Sequence, residues 1–68
     1  MKVKIVNTDS EHSKHRIGQE RFIHLLGNRM VMEYTDDSGK QAVTSEIQSI
    51  IVKTRNTTYE METIKEDQ

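Results

Sequence analysis

Three short polar turn signals, each between segments that place apolar residues at matching positions, constrain this 68-residue chain more than anything else in it. Gly27-Asn28 is a two-residue hairpin signal that supplies a positive φ at its first central position. With those two residues as the loop, Leu26 pairs with Arg29, Leu25 with Met30, Ile23 with Met32 and Arg21 with Tyr34. Leu25, Ile23, Met30 and Met32 then share one face, and the tip of Tyr34 lies beside Arg21. Asp36-Asp37-Ser38-Gly39 has turn composition, and a loop centred on Asp37-Ser38 sets Tyr34 opposite Gln41 and Met32 opposite Val43. Arg55-Asn56 separates the run from Ile50 to Thr54 from the run Thr57 to Glu62, so that Val52 faces Tyr59 and Ile50 faces Met61. Side chains alternate between the faces of a strand, and a one-residue slip would scatter each of these sets.

The rest of the chain is read around those hairpins. Lys2-Val3-Lys4-Ile5-Val6 alternates charged and apolar residues, as a half-buried strand does. The polar run from Thr8 to His15 is a surface loop; Thr8 and Glu11 have capping-box spacing for one helical turn, but no apolar residue follows to extend it. Residues 19–26 alone suit either helix or strand, and the hairpin register favours strand. Residues 44–49 are a bend or a single helical turn, with Ile47 tucked under the sheet. The expected fold is therefore all-β: an antiparallel meander of five to six short strands with at most one short helical turn. Residues 1–64 form one small domain, and the charged tail 65–68 frays. Phe22, Leu26 and Val31 fall on the face opposite Ile23, Leu25 and Met30. A flat sheet would expose them, so closure into a small, partly open SH3-like barrel, a bulge or a dimer is needed to cover them.

Composition sharpens that need. Only 32% of residues are apolar, and there is no cysteine, so neither disulfides nor thiolate metal sites reinforce a chain that is short for a self-sufficient core. The first residues lack the apolar run of a signal peptide and no later stretch is long enough for a helical span, which makes a cytoplasmic location the expectation. Asn56-Thr57-Thr58, although it fits the glycosylation pattern, is then simply a turn.

The net charge of −1 gives no overall pull toward nucleic acid or membrane. The charge is uneven, however: residues 1–30 carry a surplus of three positive charges and residues 31–68 a surplus of four negative ones. Lys2, Lys4, Lys14, Arg16, Arg21 and Arg29 are the candidate contacts if the chain is a nucleic-acid-binding barrel, a fold that usually combines a basic groove with aromatic platforms. Here Tyr34 and Tyr59 are assigned to the core and only Phe22 remains, so strand-surface charges that discourage edge-to-edge aggregation are the simpler account.

His12, His15 and His24, with Asp9 and Glu11, raise the question of a metal. Zinc needs three or four convergent ligands with outer partners to orient them, and a polar loop supplies neither. Asp36, Asp37, Glu60 and Glu62 occupy a turn and an exposed strand face, and no nucleophile has an adjacent base, so no catalytic residue, cofactor or metal is expected. The remaining class is a non-enzymatic binding module: a protein-interaction adaptor or a homodimer. Phe22, Leu26 and Val31 are its candidate surface, methionines Met30, Met32 and Met61 give an apolar surface able to re-pack, and open strand edges offer docking by β-augmentation.

The segment Ser45-Glu46-Ile47-Gln48-Ser49-Ile50-Ile51-Val52-Lys53-Thr54-Arg55-Asn56-Thr57-Thr58-Tyr59-Glu60, with its Thr-Arg-Asn-Thr-Thr-Tyr signature, resembles short uncharacterised β-proteins carried by phages and plasmids of Gram-positive bacteria. The resemblance covers the C-terminal hairpin alone and carries over no functional residue. It implies an accessory or regulatory protein of a mobile element that acts by binding.

Overall fold

The computed structural model describes residues 1–64, so the tail 65–68, expected to fray, lies outside the described residues. Six strands run in the order β1 (Lys2–Lys4), β2 (Glu20–Leu26), β3 (Arg29–Tyr34), β4 (Gln41–Val43), β5 (Ser49–Lys53) and β6 (Thr58–Glu62), with a 3₁₀ turn over Glu11–Arg16 between the first two. β1 to β4 form an antiparallel meander in sequence order, and β5 and β6 form a separate two-stranded sheet. Neither sheet closes into a barrel.

The first hairpin has the expected register: Leu26 lies opposite Arg29, Leu25 opposite Met30, Ile23 opposite Met32 and Arg21 opposite Tyr34. Gly27 supplies the positive φ, at 59°, while Asn28 keeps a negative one. This is the conformation of a turn with glycine first, whose twist matches the flanking strands. The last hairpin also pairs as expected, Val52 with Tyr59 and Ile50 with Met61. Its two-residue turn is closed by the Thr54 N–H donating to Thr57 O (2.8 Å), and the Thr57 N–H donates back to Thr54 Oγ1 (3.1 Å).

The middle hairpin corrects the sequence reading by one residue. Met32 faces Ala42 rather than Val43, Val43 faces Val31, and Gln41 faces Glu33 rather than Tyr34. The Tyr34 N–H donates to Lys40 O (3.0 Å), so the loop holds an odd number of residues. Two side chains set this length. Asp36 Oδ1 accepts from the Ser38 N–H (3.0 Å), Ser38 Oγ accepts from the Lys40 N–H (3.2 Å), and Gly39 takes a φ of 74° that admits the extra residue. Because strand periodicity is two, that single residue moves Val43 to the other face, where it is exposed.

The 3₁₀ turn also starts later than the capping-box spacing suggests. Ser10 occupies the cap position without a side-chain bond, and Thr8 Oγ1 accepts from the Ser10 N–H (3.3 Å) instead of closing a box with Glu11. Residues 44–48 are a bend that returns to the first hairpin. The Thr44 N–H donates to Met30 O (2.9 Å), Thr44 Oγ1 accepts from the Met30 N–H (3.0 Å), and the Ile47 N–H donates to Asn28 O (2.7 Å). Ile47 is half-buried there.

Burial is sparse. Val31 is the one fully buried apolar side chain among the described residues, 2% exposed, with β2 on one side of its strand and β4 on the other. On the opposite face Val3, Ile23, Met30, Met32, Tyr34 and Ala42 are half-buried, while Arg21 is buried and Leu25 exposed. The accessible surface is 6172 Å² for 7.9 kDa, against about 4,400 Å² for a compact protein of that mass. The radius of gyration is 13.5 Å, against about 11 Å for a compact chain of this length. Both excesses follow from two sheets that stand side by side without packing into one core.

Candidate interaction surface

Taken one by one, the basic residues of the N-terminal part do not assemble into a groove. Lys2 pairs with Glu20 at 3.2 Å and Lys14 with Glu11 at 2.8 Å, so two of the six charges are already offset locally. Arg21 is 5% exposed: its guanidinium donates to Glu20 O (2.7 Å) and to Gln19 Oε1, and lies over the Tyr34 ring at 3.9 Å from the centroid. Placing Arg21 beside Tyr34 holds good; counting it among surface contacts does not, because its guanidinium is taken up by Glu20 O, Gln19 Oε1 and the Tyr34 ring. Arg16 is half-buried. Arg29 Nη1 donates to Thr44 O (3.3 Å) at the tip of the first hairpin. That tip is four residues along β2 from Phe22, the cross-strand neighbour of Lys2, a separation of roughly 13 Å. Lys4 remains exposed on β1.

The three apolar candidates separate as well. Val31 is enclosed and so leaves the candidate surface, whereas Leu26 is 64% exposed and Phe22 is exposed with the Lys2 ammonium 6.0 Å from its ring centroid. Among the described residues no three His, Asp or Glu side chains gather where a metal could sit. Asp36 has its carboxyl held below the ordinary range by hydrogen bonds from Ser38, the side-chain hydroxyl contributing most. That arrangement builds the turn.

The larger exposed feature is the one built by the last hairpin. Every residue of β6 is exposed, and on one face of the two-stranded sheet Tyr59 (56%), Met61 (44%) and Val52 stand together without cover. The turn chemistry of Thr54 and Thr57 holds that face in register, and its fourth member, Ile50, is half-buried at the base of the hairpin. Between this hairpin and the meander runs an open apolar groove of about 420 Å³ whose walls include Met1, Ile23, Leu25, Met30, Ile50 and Val52. Sequence reasoning found each side of this groove but assigned both to one core. The signal that the two sides stay apart is the polar run Thr44-Ser45-Glu46, of which Thr44 spends its hydroxyl, N–H and carbonyl on tying the bend to the first hairpin.

The hydrogen-bond phase of the ladders determines which edges are open. On β1, Met1 O and the main chain of Ile5 bond to β2 and its approach, through the Ile23 N–H to Met1 O (2.9 Å), the Ile5 N–H to Gln19 O (2.9 Å) and the Gly18 N–H to Ile5 O (2.6 Å). Antiparallel strands alternate bonded and non-bonded pairs, so Lys2 and Lys4 direct their N–H and C=O groups away from β2. On β6, bonded pairs at Thr54–Thr57 and Gln48–Thr63 fix the same alternation, and Thr58, Glu60 and Glu62 direct theirs away from β5.

Comparison with protein-family models, with curated proteins and with solved structures found no match. No helix among the described residues is long and apolar enough to cross a membrane.

Proposed function

We propose that this chain is a non-enzymatic protein-binding module whose docking element is the C-terminal hairpin and the strand edges around it. The supporting observation is the uncovered Val52–Tyr59–Met61 face of β5 and β6. An isolated two-stranded sheet is marginal in water, and three large apolar side chains on one face of it gain by being covered. An accessory or regulatory role in a mobile element, acting in the cytoplasm, belongs to the same proposal and suits a protein of this size that works by occupying a surface.

The test is a pull-down with the immobilised domain and with a Tyr59→Ser/Met61→Ser variant, both first shown to retain β-rich circular dichroism. Retention of a protein, the chain itself included, should fall at least about tenfold in the variant, as expected for loss of central apolar anchors. A folded wild-type domain that retains nothing at all would sink the proposal. Retention of DNA or RNA that declines steeply with salt would favour the nucleic-acid reading instead.

A further inference from the structure

The partner of this surface can be named more narrowly. We propose that it is a second copy of this chain, joined edge to edge, with β1 of one copy antiparallel to β6 of the other. In that pairing Lys2 stands opposite Glu62 of the second copy, Val3 opposite Met61, Lys4 opposite Glu60 and Ile5 opposite Tyr59. The inference rests on the binding-module reading and gives that module its occupant.

Three properties of the two edges agree on this single register. The first is main-chain hydrogen bonding. Among the described residues, Lys2 and Lys4 are the β1 residues whose N–H and C=O groups point away from β2, and Glu60 and Glu62 are among those of β6 that point away from β5. Residues whose free groups face each other are the ones that exchange bonds in an antiparallel ladder, and both sets are spaced by two. The second is charge. The residues brought opposite each other are two ammonium groups, Lys4 with no ion pair among the described residues and Lys2 shared with Glu20 of its own chain, and two carboxylates; opposite charges at directly facing positions stabilise a sheet whereas like charges disrupt it. The third is apolar pattern. Val3 and Ile5 lie on the other face of β1, so Met61 and Tyr59 of the second copy meet half-buried apolar neighbours and lose their exposure.

The alternative within one chain is less well matched. β5 is the strand of the last hairpin that walls the groove beside Met1, and the residues on its open edge are Ser49, Ile51 and Lys53. Closing β5 onto β1 would add a third ammonium group to Lys2 and Lys4 and supply no carboxylate. Surface area points the same way: each chain exposes over about 1,000 Å² more than a compact protein of its mass, and a standard interface takes about 800 Å² from each partner. Made reciprocally, the pairing gives a two-fold dimer; made head to tail, it gives a linear array, and both contain the same contact.

Charge reversal provides the test, read by sedimentation or light scattering over a range of concentrations. The wild-type chain should self-associate, and a Lys2→Glu/Lys4→Glu variant and a Glu60→Lys/Glu62→Lys variant should each be monomeric under the same conditions. An equimolar mixture of the two variants should associate again, since every β1–β6 contact between them is once more between opposite charges. Amide exchange of the wild type should show Lys2, Lys4, Glu60 and Glu62 gaining protection on association, while Val3 and Met61, already paired within the chain, change little. A wild type that stays monomeric throughout overturns this inference, as does a mixture that fails to associate, or protection of those four amides in the monomer. None of these results removes the binding-module reading, which falls only if the folded domain captures no protein.

Discussion

The two sheets of this chain are both antiparallel, both joined by tight turns and both in register, yet they differ in what surrounds them. In the four-stranded meander β3 has neighbours on both sides, and it is there that Val31 is enclosed and that Arg21 of β2 stacks on Tyr34 of β3. In the β5–β6 sheet each strand has one neighbour and every residue but Ile50 is exposed. Strand pairing alone therefore yields an ordered ladder, and burial requires a third strand or an opposing surface. That is the physical difference between a hairpin that can stand in a small core and one that invites a partner.

The largest expected break in this comparison comes from Val31. Val31→Ala should lower unfolding stability by about 2 kcal/mol through lost burial and the cavity left behind, whereas Val52→Ala on the hairpin should change it by less than about 0.5 kcal/mol. Chemical denaturation of both variants as monomers measures the contrast, and equal losses would mean that the hairpin is packed after all. Next comes Arg21. Arg21→Met removes the donors to Glu20 O and Gln19 Oε1 and the cation over Tyr34, and a loss of about 1–2 kcal/mol is expected, with the Tyr34 ring resonances shifting in the same spectrum.

A smaller effect isolates turn geometry from packing. A Cβ at Gly27 would meet no atom within 4 Å, so the cost of Gly27→Ala is the positive φ alone, about 1 kcal/mol, seen as a lowered denaturation midpoint with unchanged slope. The smallest effect belongs to Asp36. Its carboxyl titrates below the ordinary value in the folded chain, so the stability it contributes is present above that ordinary value and is lost as pH falls through the folded one. Ser38→Ala should move the Asp36 midpoint up toward the ordinary value, followed by carboxyl chemical shifts, with little change in stability at neutral pH.

The parts of this fold that were legible in the sequence are those fixed by adjacent residues. Gly27-Asn28 and Arg55-Asn56 each give a two-residue loop, and a two-residue loop determines every pair in its ladder. The β3–β4 ladder was missed by one because its loop length depends on side-chain bonds from Asp36 and Ser38 and on Gly39, and turn composition does not count those. Val31 and Phe22 looked alike in sequence, two apolar residues on the wrong face. Their cross-strand neighbours separate them: Val31 lies between His24 of β2 and Val43 of β4 and is enclosed, whereas Phe22 lies between the charged Lys2 of β1 and Glu33 of β3 and is 44% exposed. Arg21 beside Tyr34 followed from register, but its burial did not, because an arginine on a strand gives no sign of which face will be closed. For the proposed interaction surface, the sequence pointed to Met61 and the open edges but assigned Tyr59 to the core, whereas Tyr59 is 56% exposed because the two sheets are separated at the bend of residues 44–48.

That bend has a mechanical consequence. The last hairpin is joined to the meander at neighbouring points of one turn, Thr44 to Met30 and Ile47 to Asn28, and its base is closed by the Thr63 N–H donating to Gln48 O (3.0 Å). Beyond that base five residues of β5 project to the Arg55-Asn56 turn, an arm of roughly 17 Å. A pivot at one end and an arm of that length make a lever: a rotation of about 10° at the Thr44 and Ile47 anchor points carries the tip through about 3 Å, so small adjustments there set where the far end of the hairpin reaches.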